Sequence, residues 1–171
     1  MCNKGPLAQS VEQDTLNVKV DGSTPSWPTN PSLKNYEFID HTADIGIRVK
    51  GRDLKGLFLN AAEAMFDIIA EPPVSVQGKQ IIKTNVDLKA DNSEELLVAW
   101  LSELLSLSYA KELIFYGFEI KQMDKNSLQA EASGINTEDC EIKTEIKAVT
   151  YHELKIEKTG SGWQAQIIFD V

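Results

Sequence analysis

The sequence predicts an α+β fold: a single compact domain in which two main amphipathic helices pack on a largely antiparallel β-sheet. Two stretches repeat apolar residues at three-and-four spacing, and several others alternate apolar with polar residues. Strands fall before, between and after the helices, without the strict strand–helix repetition of a doubly wound sheet. With 171 residues and 42% hydrophobic content, the chain can bury one core.

Residues 1–34 read as a disordered tail. Pro25, Pro28 and Pro31 stand among Ser, Thr and Asn, which blocks regular ladders and buries little. Weak alternation at Leu16, Val18 and Val20 offers at most a short strand between Val11 and Val20. The domain runs from residue 35 to 171. Tyr36-Glu37-Phe38-Ile39 and then Ile45, Ile47 and Val49 alternate as half-buried strands do, and Gly51 closes the second. Asp53 is an N-cap for a helix carrying Leu54, Leu57, Phe58, Ala61, Met65, Ile68 and Ile69, which Pro72 and Pro73 end near Glu71. Met65 and Phe66 are core residues of that helix.

Gln80–Lys89 is a further strand. Asn92 with Glu95 makes a capping box for a second helix over 94–112, with Leu97, Trp100, Leu101, Leu104 and Leu107 or Ser108 as its buried stripe. Phe115–Met123 and Ser127–Ala132 are strands joined by a turn at Lys125-Asn126. Ile142, Ile146 and Ala148 alternate with charged residues. Beyond a turn at Gly160-Ser161-Gly162, the residues Trp163, Ala165, Ile167 and Phe169 mark the last strand.

No run of about 18 apolar residues is present, so no membrane span is expected. Met1 to Ser10 lacks an apolar core of signal-peptide length, which argues against secretion. Cys2 and Cys140 form no spaced pair, so neither a disulfide framework nor a cysteine zinc site is expected, and a reducing, intracellular setting fits. Net charge is −9. The tail balances Lys4, Lys19 and Lys34 against Glu12, Asp14 and Asp21, so the excess sits on the domain. Tight nucleic-acid binding draws on Lys and Arg neutralising phosphates. An acidic domain lacks that contribution and suits a protein partner or a cation.

The chemistry-bearing stretch is Asp40-His41-Thr42-Ala43-Asp44 between the first two strands. It is either a turn in which Asp and Thr side chains bond local amides, the commoner case, or a site. HExxH, Walker, GxSxG and EF-hand patterns are all absent from the sequence. Carboxylates with one histidine suit a hard divalent cation, but Asp44 alone would hold one weakly. Asp170 and the α-carboxylate of Val171 are the natural further ligands. Read from the residues alone, the reading of Asp170 as a solvated strand end and Val171 as a frayed terminus prevails. Lys147 is a surface lysine or the counter-charge to such a cluster. His152, on a strand, is more often a hydrogen-bonded structural residue than a ligand. Cys140 has no base at readable spacing.

These residues resemble the archease family. The resemblance lies in Tyr36-Glu37-Phe38-Ile39-Asp40-His41-Thr42-Ala43-Asp44-Ile45, in Ala61–Phe66, in Lys147-Ala148-Val149-Thr150-Tyr151-His152, and in Trp163 and Ala165 through Ile168-Phe169-Asp170-Val171. It covers the domain from about residue 35 and leaves out the tail. It implies a small cytoplasmic α+β protein, not itself an enzyme, that activates an RtcB-type RNA ligase of tRNA splicing and RNA repair. That ligase uses manganese and GTP, and its activator speeds guanylylation and keeps it turning over. The resemblance further implies a divalent metal (calcium, magnesium or manganese) on Asp44, Asp170 and Val171. It matches Lys147 to a lysine associated with activity, and leaves His41, Asp40 and His152 as supporting residues. The competing readings are a chaperone-like modulator of a tRNA methyltransferase and, last, a stand-alone metal-dependent hydrolase.

Overall fold

The structure is a computed structural model and describes residues 34–40, 44–71 and 75–171. The expected tail, apart from Lys34, lies outside the described residues, as does its weak strand at Val11–Val20. In chain order the elements are β1 (Tyr36–Ile39), β2 (Ile45–Gly51), α1 (Leu54–Ile69), β3 (Ala70–Glu71), β4 (Ile82–Lys89), α2 (Ser93–Lys111), β5 (Leu113–Met123), β6 (Ser127–Asn136), a 3-10 turn (Thr137–Asp139), β7 (Glu141–Ile142), β8 (Ala148–Thr159) and β9 (Gly162–Asp170). Every strand pair is antiparallel. The strands divide among three sheets, ordered β1-β2-β9-β8, β4-β6-β5 and β3-β7. The fold is α+β, with two helices and antiparallel sheets.

Both helices touch both larger sheets: α1 packs on β2 and β9 and also on β5, and α2 packs on β8 and also on β5 and β4. The helices are therefore a middle layer between two sheets. That explains why burial on α1 exceeds one stripe, taking in Ala62, Ala64 and Phe66 beside Leu57, Phe58, Ala61 and Met65. A helix covered on two sides is apolar on two sides. Trp100 of α2 is fully buried, and its indole N–H donates to the Phe58 carbonyl at 3.1 Å, tying the helices together. Phe66 meets Phe115 edge-on at 5.6 Å between centroids, and Trp100 meets Phe118 at 6.2 Å.

The helix starts follow the sequence signals. Asp53 Oδ1 accepts from the Gly56 amide at 2.6 Å. Asn92 Oδ1 accepts from the Glu95 amide at 2.9 Å, while Glu95 Oε2 reaches back to the Asp91 amide at 3.2 Å, one residue before the cap. α1 stops at Ile69, and Ala70–Glu71 becomes a short strand paired with Glu141–Ile142.

One expectation is corrected. The alternation Ile142, Ile146, Ala148 does not mark one inward face: Ile142 is 46% exposed and Ala148 is exposed, whereas Ile146 and Val149 are buried. Residues 143–147 leave the ladder to cross from β7 to β8, so period-two alternation does not apply to them. Their path is fixed from outside the sheet. The Lys143 and Thr144 amides donate to the Ile69 carbonyl at 2.8 and 3.2 Å, and the Lys147 amide donates to the Asp170 carbonyl at 2.8 Å.

Candidate functional site

The site is set by strand register. β2 pairs with β9 from Gly51↔Trp163 through Ile45↔Phe169, so the next step places Asp44 opposite Asp170. On its other side Asp170 pairs with Ala148, the first residue of β8. Opposed residues on antiparallel strands lie about 4.5–5.5 Å apart between Cα atoms. Both aspartates therefore occupy one end of the four-stranded sheet. Ile47, Val49, Ile167 and Phe169 are fully buried against the helices. By alternation Asp44 and Asp170 fall on the opposite face. Asp44 is half-buried and Asp170 exposed.

Lys147 meets the same end twice. Its amide binds the Asp170 carbonyl, and its ammonium donates to the Val171 oxygen at 3.0 Å. The counter-charge expected at this position is thus seated on the terminal residue. Lys147 is in turn held by its neighbour. The Tyr109 hydroxyl of α2 donates to the Ile146 carbonyl at 2.7 Å, fixing the crossing segment immediately before it.

The remaining predicted residues are placed less closely. Asp40 is exposed and follows β1 directly; the last pair of that strand is Ile39↔Gly46, so Asp40 comes alongside Ile45, next to Asp44. His41 lies outside the described residues. His152 sits in a bulge of β8, where the pairing jumps from Thr150↔Ile168 to Lys155↔Gln166. Its Nε2 is 3.7 Å from Glu153 Oε1, and Glu153 takes a positive φ of 54° there. Among the described residues, no three His, Cys, Asp or Glu side chains converge as a metal cluster. Any ion bound at this end therefore takes its further oxygens from the Val171 carboxylate, water or residues outside that set.

The donor chemistry fits such an ion. Two side-chain carboxylates from neighbouring strands and a terminal carboxylate are hard oxygen ligands, the type that calcium, magnesium and manganese accept. Close like charges are unfavourable unless a cation offsets them, and Lys147 supplies one such cation. Cys140 is no competitor as a nucleophile: burial, with Asp139 adding to it, pushes its thiol up from the ordinary value.

Two residues here were invisible to sequence reasoning. Tyr109 lies off the buried stripe of α2, and nothing in its spacing reports that its hydroxyl reaches Ile146. Thr150, two pairs along from Asp170 on the same face, keeps a buried Oγ1 with no hydrogen-bond partner among the described residues. Only packing could reveal that.

The profile of the Archease protein family matches residues 36–171, from the first residue of β1 to Val171. The chain belongs to the archease family. It is 42% identical over 147 residues to the protein archease of Methanosarcina acetivorans, covering 81% of this chain and 97% of that protein. To the protein archease of Pyrococcus abyssi it is 39% identical over 145 residues, covering 81% of this chain and 100% of that protein. Among solved structures, the solution structure of Methanobacterium thermoautotrophicum protein 1598 superposes with a TM-score of 0.62 at 31% identity, covering 81% of this chain and 100% of that one. The crystal structure of a Thermotoga maritima archease, described as a possible chaperone, shares the fold with a TM-score of 0.57 at 23% identity, covering 78% of this chain and 94% of that one. The archease match takes in every element that builds the aspartate end. No helix among the described residues is long and apolar enough to cross a membrane.

Proposed function

We propose that this archease-family chain is a protein activator of an RtcB-type RNA ligase, acting in the cytoplasm in tRNA splicing and RNA repair. It would act through a divalent cation held by Asp44, Asp170 and the carboxylate of Val171. The observation that carries the site is the register that sets Asp44 beside Asp170, with Lys147 seated on Val171. Family membership supports the partner.

Bound there, a divalent cation supplies charge neutralisation for a nucleoside triphosphate. The ladder register brings the backbones of Asp44 and Asp170 abreast, from which both carboxylates would reach one ion. Lys147 offsets the repulsion among them and keeps the Val171 carboxylate in place through its 3.0 Å contact. Asp40, exposed next to Asp44 at the end of β1, would support Asp44 rather than replace it, and the family resemblance gives His41 the same supporting role. The net charge of −9 suits docking against an electropositive, nucleotide-binding cleft rather than RNA itself.

The test is guanylylation of a matched ligase by GTP and manganese, with and without this protein, alongside Asp44→Ala and Asp170→Ala. A large acceleration that either substitution removes is the expected result. Acceleration that survives both would keep the ligase partner and discard the metal site. No acceleration would favour the methyltransferase-modulator reading. Phosphoester turnover by the isolated protein would favour the hydrolase. A C-terminal extension beyond Val171 should weaken activation by removing the terminal carboxylate.

A further inference from the structure

A groove of about 760 Å³ opens beside the C-terminal end of α2. Its apolar surface comes from Ile69, Ile114 and Ile142 together with Tyr109, and its acidic rim from Glu112, Glu138 and Glu145. Ile142 and Tyr109 are 46% and 50% exposed, two of the few large apolar side chains left open to solvent. The three glutamates are exposed, and no lysine or arginine is among the lining residues.

The nearby lysines are engaged elsewhere. Lys79 is on Asp139 at 2.6 Å, Lys143 is on Glu71 at 3.2 Å and near Asp67, and Lys111 donates to Thr84 at 3.3 Å. Glu112, Glu138 and Glu145 have no ion pair with any described residue. The charge of Glu145 is felt inside the groove: together with burial, the larger cause, it raises the Tyr109 hydroxyl above its ordinary value.

We propose that this groove is a docking site for an arginine side chain of a partner protein. An apolar wall covers the aliphatic stem, and the guanidinium is met by Tyr109 and the glutamates. Arginine fits better than lysine because its planar head stacks on an aromatic ring while its fork donates to carboxylates. A nucleic acid is excluded by the sign of the rim. The groove also adjoins the aspartate end, since Tyr109 both lines it and holds Ile146, the residue before Lys147. The proposal rests on the groove alone and stands whichever protein the aspartate end serves.

The test is titration of the full chain with N-acetyl-arginine amide, followed by amide chemical shifts. The references are N-acetyl-citrulline amide, which keeps the shape without the charge, and the variant Glu112→Gln/Glu138→Gln/Glu145→Gln. These three residues are exposed, and an unchanged amide spectrum elsewhere verifies that the variant folds. The expected result is saturable shifts at Tyr109, Glu112, Thr137, Ile142 and Glu145. Binding should be about tenfold weaker or more for citrulline and for the variant, the factor that about 1.4 kcal/mol represents. Equal binding of citrulline, undiminished binding by the variant, or no saturable shift at the groove would each overturn the proposal.

Discussion

The two ends of the β2–β9 ladder are built on opposite principles. At one end Gly51 pairs with Trp163, and the backbone is packed so tightly that no Cβ fits at Gly51 or at Gly162. A Cβ on Gly51 would lie 2.3 Å from the Leu57 amide nitrogen, and one on Gly162 would lie 2.3 Å from the Gly51 carbonyl oxygen. At the other end Asp44 and Asp170 come abreast, and a lysine is drawn onto the terminal residue. The glycine end locks α1 onto the sheet and serves the fold. The aspartate end gathers like charges, which are unfavourable except where a cation such as Lys147 or a bound ion offsets them. A single pair of strands thus carries a stabilising end and an end whose residues make sense as a site.

The largest effect should come from the glycine end. Gly162 has φ +146°, a region that residues with a Cβ rarely enter, in addition to its contact with Gly51. Gly162→Ala should destabilise by about 3 kcal/mol, combining backbone strain with overpacking. For a chain of this size that lowers Tm by roughly 6–12 °C. Asp170→Asn should leave the metal-free Tm unchanged or slightly raised. If both substitutions lowered it equally, the contrast between the ends would fail.

Metal sharpens the same contrast. A cation that binds only the folded chain, at about a hundredfold excess over its Kd, adds about 2.7 kcal/mol, or roughly 5–10 °C. Calcium or manganese should raise the wild-type Tm by that order, and chelator should reverse it. In Asp44→Asn or Asp170→Asn the gain should disappear, while a mildly destabilised variant of the glycine end should keep it. A rise that persists in both aspartate variants would place the ion elsewhere.

Legibility in the sequence divides along the same line. The longer strands, both helices and their caps could be read because period and capping chemistry are local: Asp53 and Asn92 bond amides three residues ahead, whereas the two-residue strands Ala70–Glu71 and Glu141–Ile142 carry no period to read. Tight glycine contacts are not local, and nothing around Gly51 announces that Leu57 folds over it. The same holds for the layer order. A helix stripe shows that one face is buried, but not that a second sheet will cover Ala62 and Ala64. The crossing at 143–147 was misread because buried Ile146 suggested continuing alternation, whereas its burial comes from a bridge between sheets. At the aspartate end, residue chemistry offers Asp44, Asp170 and Lys147 as candidates, the family resemblance turns the choice toward a site, and the ladder register brings Asp44 and Asp170 abreast. Tyr109 matters through a contact, and Thr150 through the lack of one, that no spacing encodes.

The smallest predicted effect concerns a carboxylate employed in the opposite way. Asp67 of α1 is partly buried, which by itself would raise its pKa. Hydrogen bonds from Lys34, at 2.6 Å, and from the Tyr36 hydroxyl outweigh that, so its carboxyl is held below the ordinary value. The same contact, after the larger effect of burial, pushes Tyr36 up to about 12. A depressed folded-state pKa contributes stability that is present above the unfolded value and is lost as pH falls through the folded one. Because Lys34 is half exposed, solvent screening keeps the contribution to about 1 kcal/mol. Asp67→Asn should therefore lower Tm by roughly 2–4 °C at neutral pH. The gap between variant and wild type should close in acid, once Asp67 is protonated in both the folded and the unfolded chain. A gap of the same size at pH 7 and in strong acid would mean that the asparagine merely packs worse. In that case Asp67 would no longer stand as the fold-serving counterpart to the aspartate end.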